Sequence, residues 1–162
     1  MADLLSPLSI QDLLTAEGGC HWQFEQLISG LATTTPVRGE LTVAVEGPLL
    51  RVEGKAETCV ALRCDRCLQT FEQPLQAAAN ERIALGTGEA DLAQALDFDA
   101  EGISEQLDPA GSFDPEQWVY EQLSLQLPLV NRCGPQCPGP ASWGSAEALH
   151  DPRWAALKTL RP

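Results

Sequence analysis

The chain has 162 residues, of which 44% are hydrophobic and 20% charged, and this balance excludes a chain that is disordered throughout. Its formal net charge of −13 argues against a protein that coats nucleic acid without specificity, because lysine and arginine supply most of that affinity. No secretory signal follows Met1 and no apolar stretch is long enough to span a bilayer, so we expect one cytoplasmic domain over residues 1–162 without membrane contact.

The first predicted elements are a short helix and a strand. Residues 6–17 place Ile10, Leu13 and Leu14 at helical spacing, which predicts a short helix with one apolar stripe. Residues 21–29 combine aromatic and aliphatic side chains and predict the first strand.

The clearest pattern is an alternation of apolar and polar residues from 37 to 62, interrupted by a Gly-Pro turn. Period-two alternation on both sides of a turn predicts two antiparallel strands with one buried face. Residues 71–85 continue as a third long strand, in which Pro74 indicates an edge or a bulge. The sequence therefore predicts an α+β fold with an antiparallel β-meander, or a small barrel-like sheet, over about residues 21–85.

The next interval is acidic and poorly periodic. Between Arg82 and Arg132 the sequence contains no lysine or arginine. We interpret residues 86–112 as an acidic loop, because a long connection without periodicity is usually functional or structureless. Such a loop is either a solvated surface or a binding site for a basic protein.

Two helices are predicted beyond this interval. An Asp-Pro pair at 114–115 is typical of a helix start, and Pro128 ends that helix. The helix and the second cysteine motif together occupy residues 113–140. A second Asp-Pro pair predicts a C-terminal helix over residues 151–160.

Two cysteine motifs carry the strongest chemical signal. Cys64 and Cys67 form a C-x2-C motif at a predicted hairpin tip (hook 1), and Cys133 and Cys137 form a C-x3-C motif far along the chain (hook 2). Four thiolates match the tetrahedral coordination of zinc, so the sequence predicts one structural four-cysteine metal site that ties the two hooks together. A metal that closes so long a loop contributes directly to folding free energy.

Other interpretations of these cysteines stay open. They could be reduced thiols or form a disulfide, and four cysteines also suit an iron–sulfur cluster. A thioredoxin-like redox motif uses C-x2-C as well, but it lies near a βαβ pattern, whereas strands are predicted on both sides of hook 1. We interpret Cys20 and Cys59 as ordinary residues outside the site.

No catalytic motif accompanies the cysteines. The chain lacks a glycine-rich phosphate loop, an H-E-x-x-H signature and a nucleophile elbow. Four cysteine ligands leave no coordination position for a water molecule, unlike a catalytic zinc site. We therefore predict a structural or binding protein that is not an enzyme and has no small-molecule substrate.

Several segments carry a family resemblance. Residues 62–68 (Leu-Arg-Cys-Asp-Arg-Cys-Leu), residues 127–139 around hook 2, and residues 151–157 (Asp-Pro-Arg-Trp-Ala-Ala-Leu) resemble motifs of the YceD family, the large ribosomal RNA subunit accumulation proteins. Residues 10–14 are a weaker match. Many family members have a further cysteine pair after hook 2, but residues 140–145 contain none, so the ligand set stays at four. The proline-rich form of hook 2 most resembles the cyanobacterial and plastid branch.

The resemblance implies a factor that supports synthesis, processing or accumulation of 23S ribosomal RNA by binding, with no enzymatic activity of its own. Its partner would be 23S rRNA or a large-subunit ribosomal protein. The candidate contacts are basic residues that are able to touch phosphate, namely Arg63 and Arg66 beside hook 1 and Arg153, Lys158 and Arg161 near the C-terminus.

Two other hypotheses differ in class. One is a protein-interaction adaptor whose acidic loop captures a basic client. The other is an oxidoreductase that uses Cys64 and Cys67, which requires a reactive thiolate of low pKa.

Overall fold

The computed structural model describes residues 3–16, 18–98 and 103–140 of the chain. These residues form an α+β fold, as the sequence predicts. The predicted helix over residues 151–160 lies outside the described residues, and so do Arg153, Lys158 and Arg161. In chain order the elements are β1 (Leu8–Ser9), α1 (Ile10–Thr15), β2 (Cys20–Gln26), β3 (Val37–Glu46), β4 (Leu49–Arg63), β5 (Thr70–Leu85), α2 (Glu89–Phe98), β6 (Ile103–Leu107), β7 (Ser112–Phe113) and α3 (Pro115–Ser124).

The main sheet has the strand order β2-β3-β4-β5-β6. Its first four strands pair consecutively and antiparallel, which confirms the predicted meander, and β6 adds to β5 in parallel. The β4–β5 hairpin is the longest pair and runs in register from Leu49↔Ala84 to Arg63↔Thr70. The described residues form an open sheet, because β2 and β6 are both edge strands, so the barrel-like alternative is wrong.

One face of the sheet forms the core, because alternate residues of a strand point to the same side. Helices α1 and α3 contribute buried side chains to the same cluster. The pair β1–β7 lies next to α1, where Leu8 is in register with Phe113. The fully buried side chains of the core include Ile10, Leu13, Leu41, Val43, Leu50, Val52, Val60, Val119 and Leu123.

Helix α1 is shorter than the predicted segment 6–17, since Ser9 caps its start and accepts a hydrogen bond from the Asp12 backbone N–H. Ile10 and Leu13 are buried, but Leu14 is half exposed. The helix has only six residues, so its buried face is little more than one turn long. This face includes Ile10 and Leu13 but not Leu14.

The acidic interval is not a loop. Helix α2 and strand β6 occupy most of residues 86–112, so the predicted acidic loop is wrong. Helix α2 is hard to recognise from its hydrophobic periodicity, because two of its apolar residues, Leu96 and Phe98, are exposed. Strand β6 is too short to show an alternation and is held by its backbone pairing with β5.

Helix α2 packs against the face of the sheet opposite the core. Leu92 and Ala95 contact Leu49 and Ala84, which lie at the end of the β4–β5 pair farthest from its hairpin tip. Asp91 accepts hydrogen bonds from two backbone N–H groups of the preceding turn and fixes the helix start. The acidic segment is therefore part of the folded body.

Helix α3 confirms the predicted start at Asp114, whose Oδ1 accepts hydrogen bonds from the N–H groups of Glu116 and Gln117. The helix ends at Ser124, one turn before Pro128. Its Trp118 indole N–H donates to Glu81 of β5 at 2.7 Å, which fixes the helix on the sheet. Among the described residues, no helix is long and apolar enough to cross a membrane.

Candidate metal centre

Hook 1 forms the tip of the β4–β5 hairpin. The backbone N–H of Cys64 donates to the Gln69 carbonyl, and the N–H of Leu68 donates to the Cys64 carbonyl, so the chain reverses tightly around the two cysteines. Leu68 has a φ of 64°, a left-handed conformation that costs energy for a residue with a side chain. The Arg63 guanidinium donates a hydrogen bond through Nε to the Leu68 carbonyl and stabilises this turn.

Hook 2 follows α3 after a short irregular segment. The N–H of Cys137 donates to the Gly134 carbonyl and closes a turn that brings its cysteines to one side. Gly134 has a φ of 113°, which glycine adopts without steric cost. Glycine at this position therefore permits the tight turn of hook 2.

A pair of hydrogen bonds joins hook 1 to the segment just before hook 2. The Asp65 N–H donates to the Asn131 carbonyl at 2.9 Å, and the Asn131 N–H donates to Asp65 Oδ2 at 2.7 Å. This reciprocal contact holds the segment before hook 2 against the hairpin tip. Sequence reasoning missed both residues, since no local signal pairs an aspartate with a residue so distant in the chain.

The four predicted cysteines converge. Their sulfur atoms all lie within 4.8 Å of one another, with 4.0 Å between the sulfurs of Cys64 and Cys137 and 3.6 Å between those of Cys67 and Cys133. Both distances exceed a disulfide bond, which is about 2.05 Å. They match the spacing of about 3.8 Å between sulfurs around a tetrahedral ion with a metal–sulfur distance of about 2.3 Å. The cluster is close enough to hold one metal ion.

The environment of Cys64 favours a thiolate. Backbone N–H groups of Cys67, Arg66 and Cys133 point at its sulfur and lower its pKa to about 6. Desolvation, followed by the neighbouring sulfurs, raises the pKa of Cys133 to about 12. The metal-free cluster thus carries negative charge on one sulfur and a proton on another, and a cation would take the place of that proton.

The low pKa of Cys64 does not make it a redox nucleophile. Its relative exposure is 0%, so a disulfide substrate has no access to its sulfur. Reactive cysteines are partly exposed, whereas a buried thiolate inside a sulfur cluster is the chemistry of a metal ligand.

Metal affinity should fall as the pH falls. The Cys133 pKa of about 12 means that metal must displace its proton at every lower pH, while Cys64, with a pKa of about 6, is already ionised at neutrality. Each proton that the metal displaces lowers the apparent affinity by about tenfold for each pH unit, and the slope steepens below pH 6 when Cys64 also protonates. Competition with a chromophoric chelator at several pH values measures this, and a flat profile would contradict it.

The other polar residues near the hooks are exposed. Arg63 and Arg66 are exposed beside hook 1, and Arg132 is exposed next to hook 2. Arg132 directly precedes Cys133, but no sequence motif distinguishes it from the other arginines. Cys20 and Cys59 stay outside the sulfur cluster, as predicted.

Comparison with known proteins finds one family. The model described as "Large ribosomal RNA subunit accumulation protein YceD" matches residues 52–161, which is more than half of the chain and contains both hooks. No curated protein and no solved structure gives a match. The matched span runs from β4 through the sulfur cluster, so the residues that build the site lie within the part of the chain that the family model covers. The chain belongs to the YceD family.

Proposed function

We propose that this chain is a non-catalytic factor that supports accumulation of 23S ribosomal RNA, by binding either that RNA or a large-subunit ribosomal protein in the cytoplasm. The observation that carries the proposal is the family match across residues 52–161, which contains hook 1, α3 and hook 2. The family's description supplies the large-subunit RNA, and the four-cysteine cluster with its buried Cys64 supports a structural part in place of a catalytic one.

In this proposal the metal is Zn²⁺, held by Cys64, Cys67, Cys133 and Cys137. Zinc contributes no redox step and fixes four sulfurs in a tetrahedron, which suits the donor set and the spacing of the cluster. The ion holds the segment after α3 and the β4–β5 tip together. The surface that it stabilises includes Arg63, Arg66 and Arg132, which are the candidate phosphate contacts among the described residues.

Affinity purification of the tagged full-length chain from cells tests the proposed function. We expect 23S rRNA precursors or large-subunit ribosomal proteins among the bound molecules, at levels above those found with an unrelated acidic protein. Recovery of neither would contradict the proposal. Sequencing of the RNA that is cross-linked to the chain then maps the contact.

Direct RNA contact predicts a steep loss of affinity with salt. The logarithm of the binding constant for a 23S rRNA fragment should fall linearly with the logarithm of the salt concentration. The slope should be steeper by about 0.7 to 0.9 for each phosphate neutralised. Arg66→Gln and Arg132→Gln should each reduce the slope by the amount expected for about one phosphate contact. Arg38→Gln is the matched control, because Arg38 is an exposed arginine already paired with Glu25 on the sheet. If neither variant changes the slope, Arg66 and Arg132 do not contact phosphate, and if the fragment does not bind even at low salt, direct RNA contact is excluded.

A further inference from the structure

The outer edge of β5 exposes backbone groups in a regular pattern. Cys59 directs its own N–H and carbonyl away from β5, to Thr35 Oγ1 and to the Thr34 N–H. Cys59 is the register partner of Pro74, so this pair does not share hydrogen bonds, and the backbone of Pro74 must point out of the sheet. The same orientation recurs at every second residue of β5, which places the N–H and carbonyl of Gln76, Ala78 and Asn80 on the outer edge.

This stretch of edge has two defined ends. At one end Pro74 has no N–H, and its carbonyl accepts a hydrogen bond from the Gln73 side chain. At the other end β6 begins its pairing at Arg82. Between them, over residues 75–81, no backbone partner on the outer side is found within the described ranges. The result is a strand-length site that lies in line with β6.

The open face of the sheet next to this edge is polar and concave. A cavity of about 890 Å³ lies over β2 to β5 and reaches Gln76 and Ala78 at the edge. Its two cations are engaged, since Lys55 pairs with Glu40 at 2.6 Å and Arg38 with Glu25 at 2.9 Å. Glu57, which is in register with Gln76, has no ion pair among the described residues. An additional positive charge would therefore meet an unneutralised carboxylate there.

We propose that this edge binds an extended segment of another protein, which adds as a further strand beside residues 75–81 and carries a lysine or arginine next to Gln76. Neighbouring strands lie about 4.8 Å apart, so the backbone of Glu57 on β4 is about 10 Å from the added backbone. Only a long basic side chain reaches across that distance. The side chain that this basic residue must pass is Gln76, which is the register partner of Glu57 and carries no charge.

The exposed backbone groups of this edge indicate that its ligand is a polypeptide. An edge that offers N–H and carbonyl groups in alternation matches the backbone of an extended peptide, whereas RNA phosphates would satisfy the N–H groups and leave the carbonyls unpaired. A second copy of this chain fits poorly, because its net charge of −13 would bring like charges together. The site also revises the adaptor hypothesis, whose acidic loop does not exist, by moving the capture of a basic client to the sheet.

The test uses the zinc-loaded full-length chain and a labelled peptide with the sequence Thr-Lys-Val-Lys-Val-Lys-Thr. We expect saturable binding by fluorescence anisotropy, together with new hydrogen-exchange protection of the Gln76, Ala78 and Asn80 amides. Replacing the lysines of the peptide with glutamate should abolish both signals. Glu57→Gln should weaken the lysine peptide by up to about fivefold, which is the range for an exposed ion pair.

Ala78→Pro is the decisive variant. It removes an outward N–H that the β4–β5 pairing does not use, so the thermal midpoint should stay close to that of the native chain while peptide affinity drops at least about tenfold. Ala78→Ser keeps the N–H and should bind as the native chain does. Unchanged binding by Ala78→Pro, equal binding of the glutamate peptide, or protection of the same amides by dimerisation without peptide would each overturn the proposal. None of these outcomes bears on the RNA titration, so this site and the proposed function are tested separately.

Discussion

Replacing Cys64 or Cys133 with serine should remove stoichiometric zinc and destabilise the fold by similar amounts. The two residues lie in different hooks, but their sulfurs belong to one cluster, so either change opens the same link. We expect each variant to lose more than about 4 kcal/mol of unfolding free energy in zinc-containing buffer, since loss of a structural metal is among the largest single-residue effects. Urea unfolding and metal analysis measure both quantities.

Two further variants of the chain serve as controls for this prediction. Cys59→Ser changes a half-buried cysteine of β4 that lies outside the cluster and should retain one zinc ion with little loss of stability. The double variant Cys64→Ser/Cys133→Ser should be no less stable than the worse single variant, because both changes remove one shared interaction. Full additivity, or an effect confined to hook 1, would mean that the hooks do not share a metal.

Trp118→Ala should cost about 3–5 kcal/mol, as truncation of a buried tryptophan does. The ring lies against Gly54, where an added Cβ would come within 2.9 Å of Trp118 Cζ3, so the glycine leaves the space that the indole fills. The indole N–H also donates to Glu81, whose second carboxylate oxygen accepts from Gln122. Because α3 leads into hook 2, the loss should appear as a lower urea midpoint and as weaker zinc binding.

The conservative variant separates packing from hydrogen bonding at this position. Trp118→Phe keeps much of the apolar contact and removes only the donor to Glu81, so it should cost about 1–3 kcal/mol. A matched variant, Gln122→Leu, removes the second donor and should have a comparable effect. If Trp118→Ala unfolds at the same urea concentration as the native chain, α3 is not anchored through this residue.

The meander and the sulfur cluster were predictable from sequence for a physical reason. Alternation with period two reports which face of a strand is buried, and the strands from Val37 to Leu85 are long enough to show it. Cysteine spacing reports a geometric requirement of the metal, which is independent of the rest of the fold. Both patterns are local, so both are recognisable without knowledge of the tertiary structure.

The features that the sequence did not reveal depend on contacts between distant segments. Helix α2 packs on Leu49 and Ala84, and nothing within the helix indicates that these residues lie beneath it. The bonds between Asp65 and Asn131 join residues that become neighbours only once the hairpin and α3 are in place. Among the described residues, β6 pairs only with the last part of β5 and leaves the edge at residues 75–81 without a strand partner, which alternation in β5 itself cannot report.

X-ray absorption at the zinc edge of the purified, metal-loaded chain is the most direct measurement of the shared site. The four sulfurs within 4.8 Å of one another predict one zinc per chain, bound by four sulfurs at about 2.3 Å and by no nitrogen or oxygen. A first shell with two sulfurs and light-atom ligands, or a chain that retains no zinc, would contradict a single centre that joins hook 1 to hook 2.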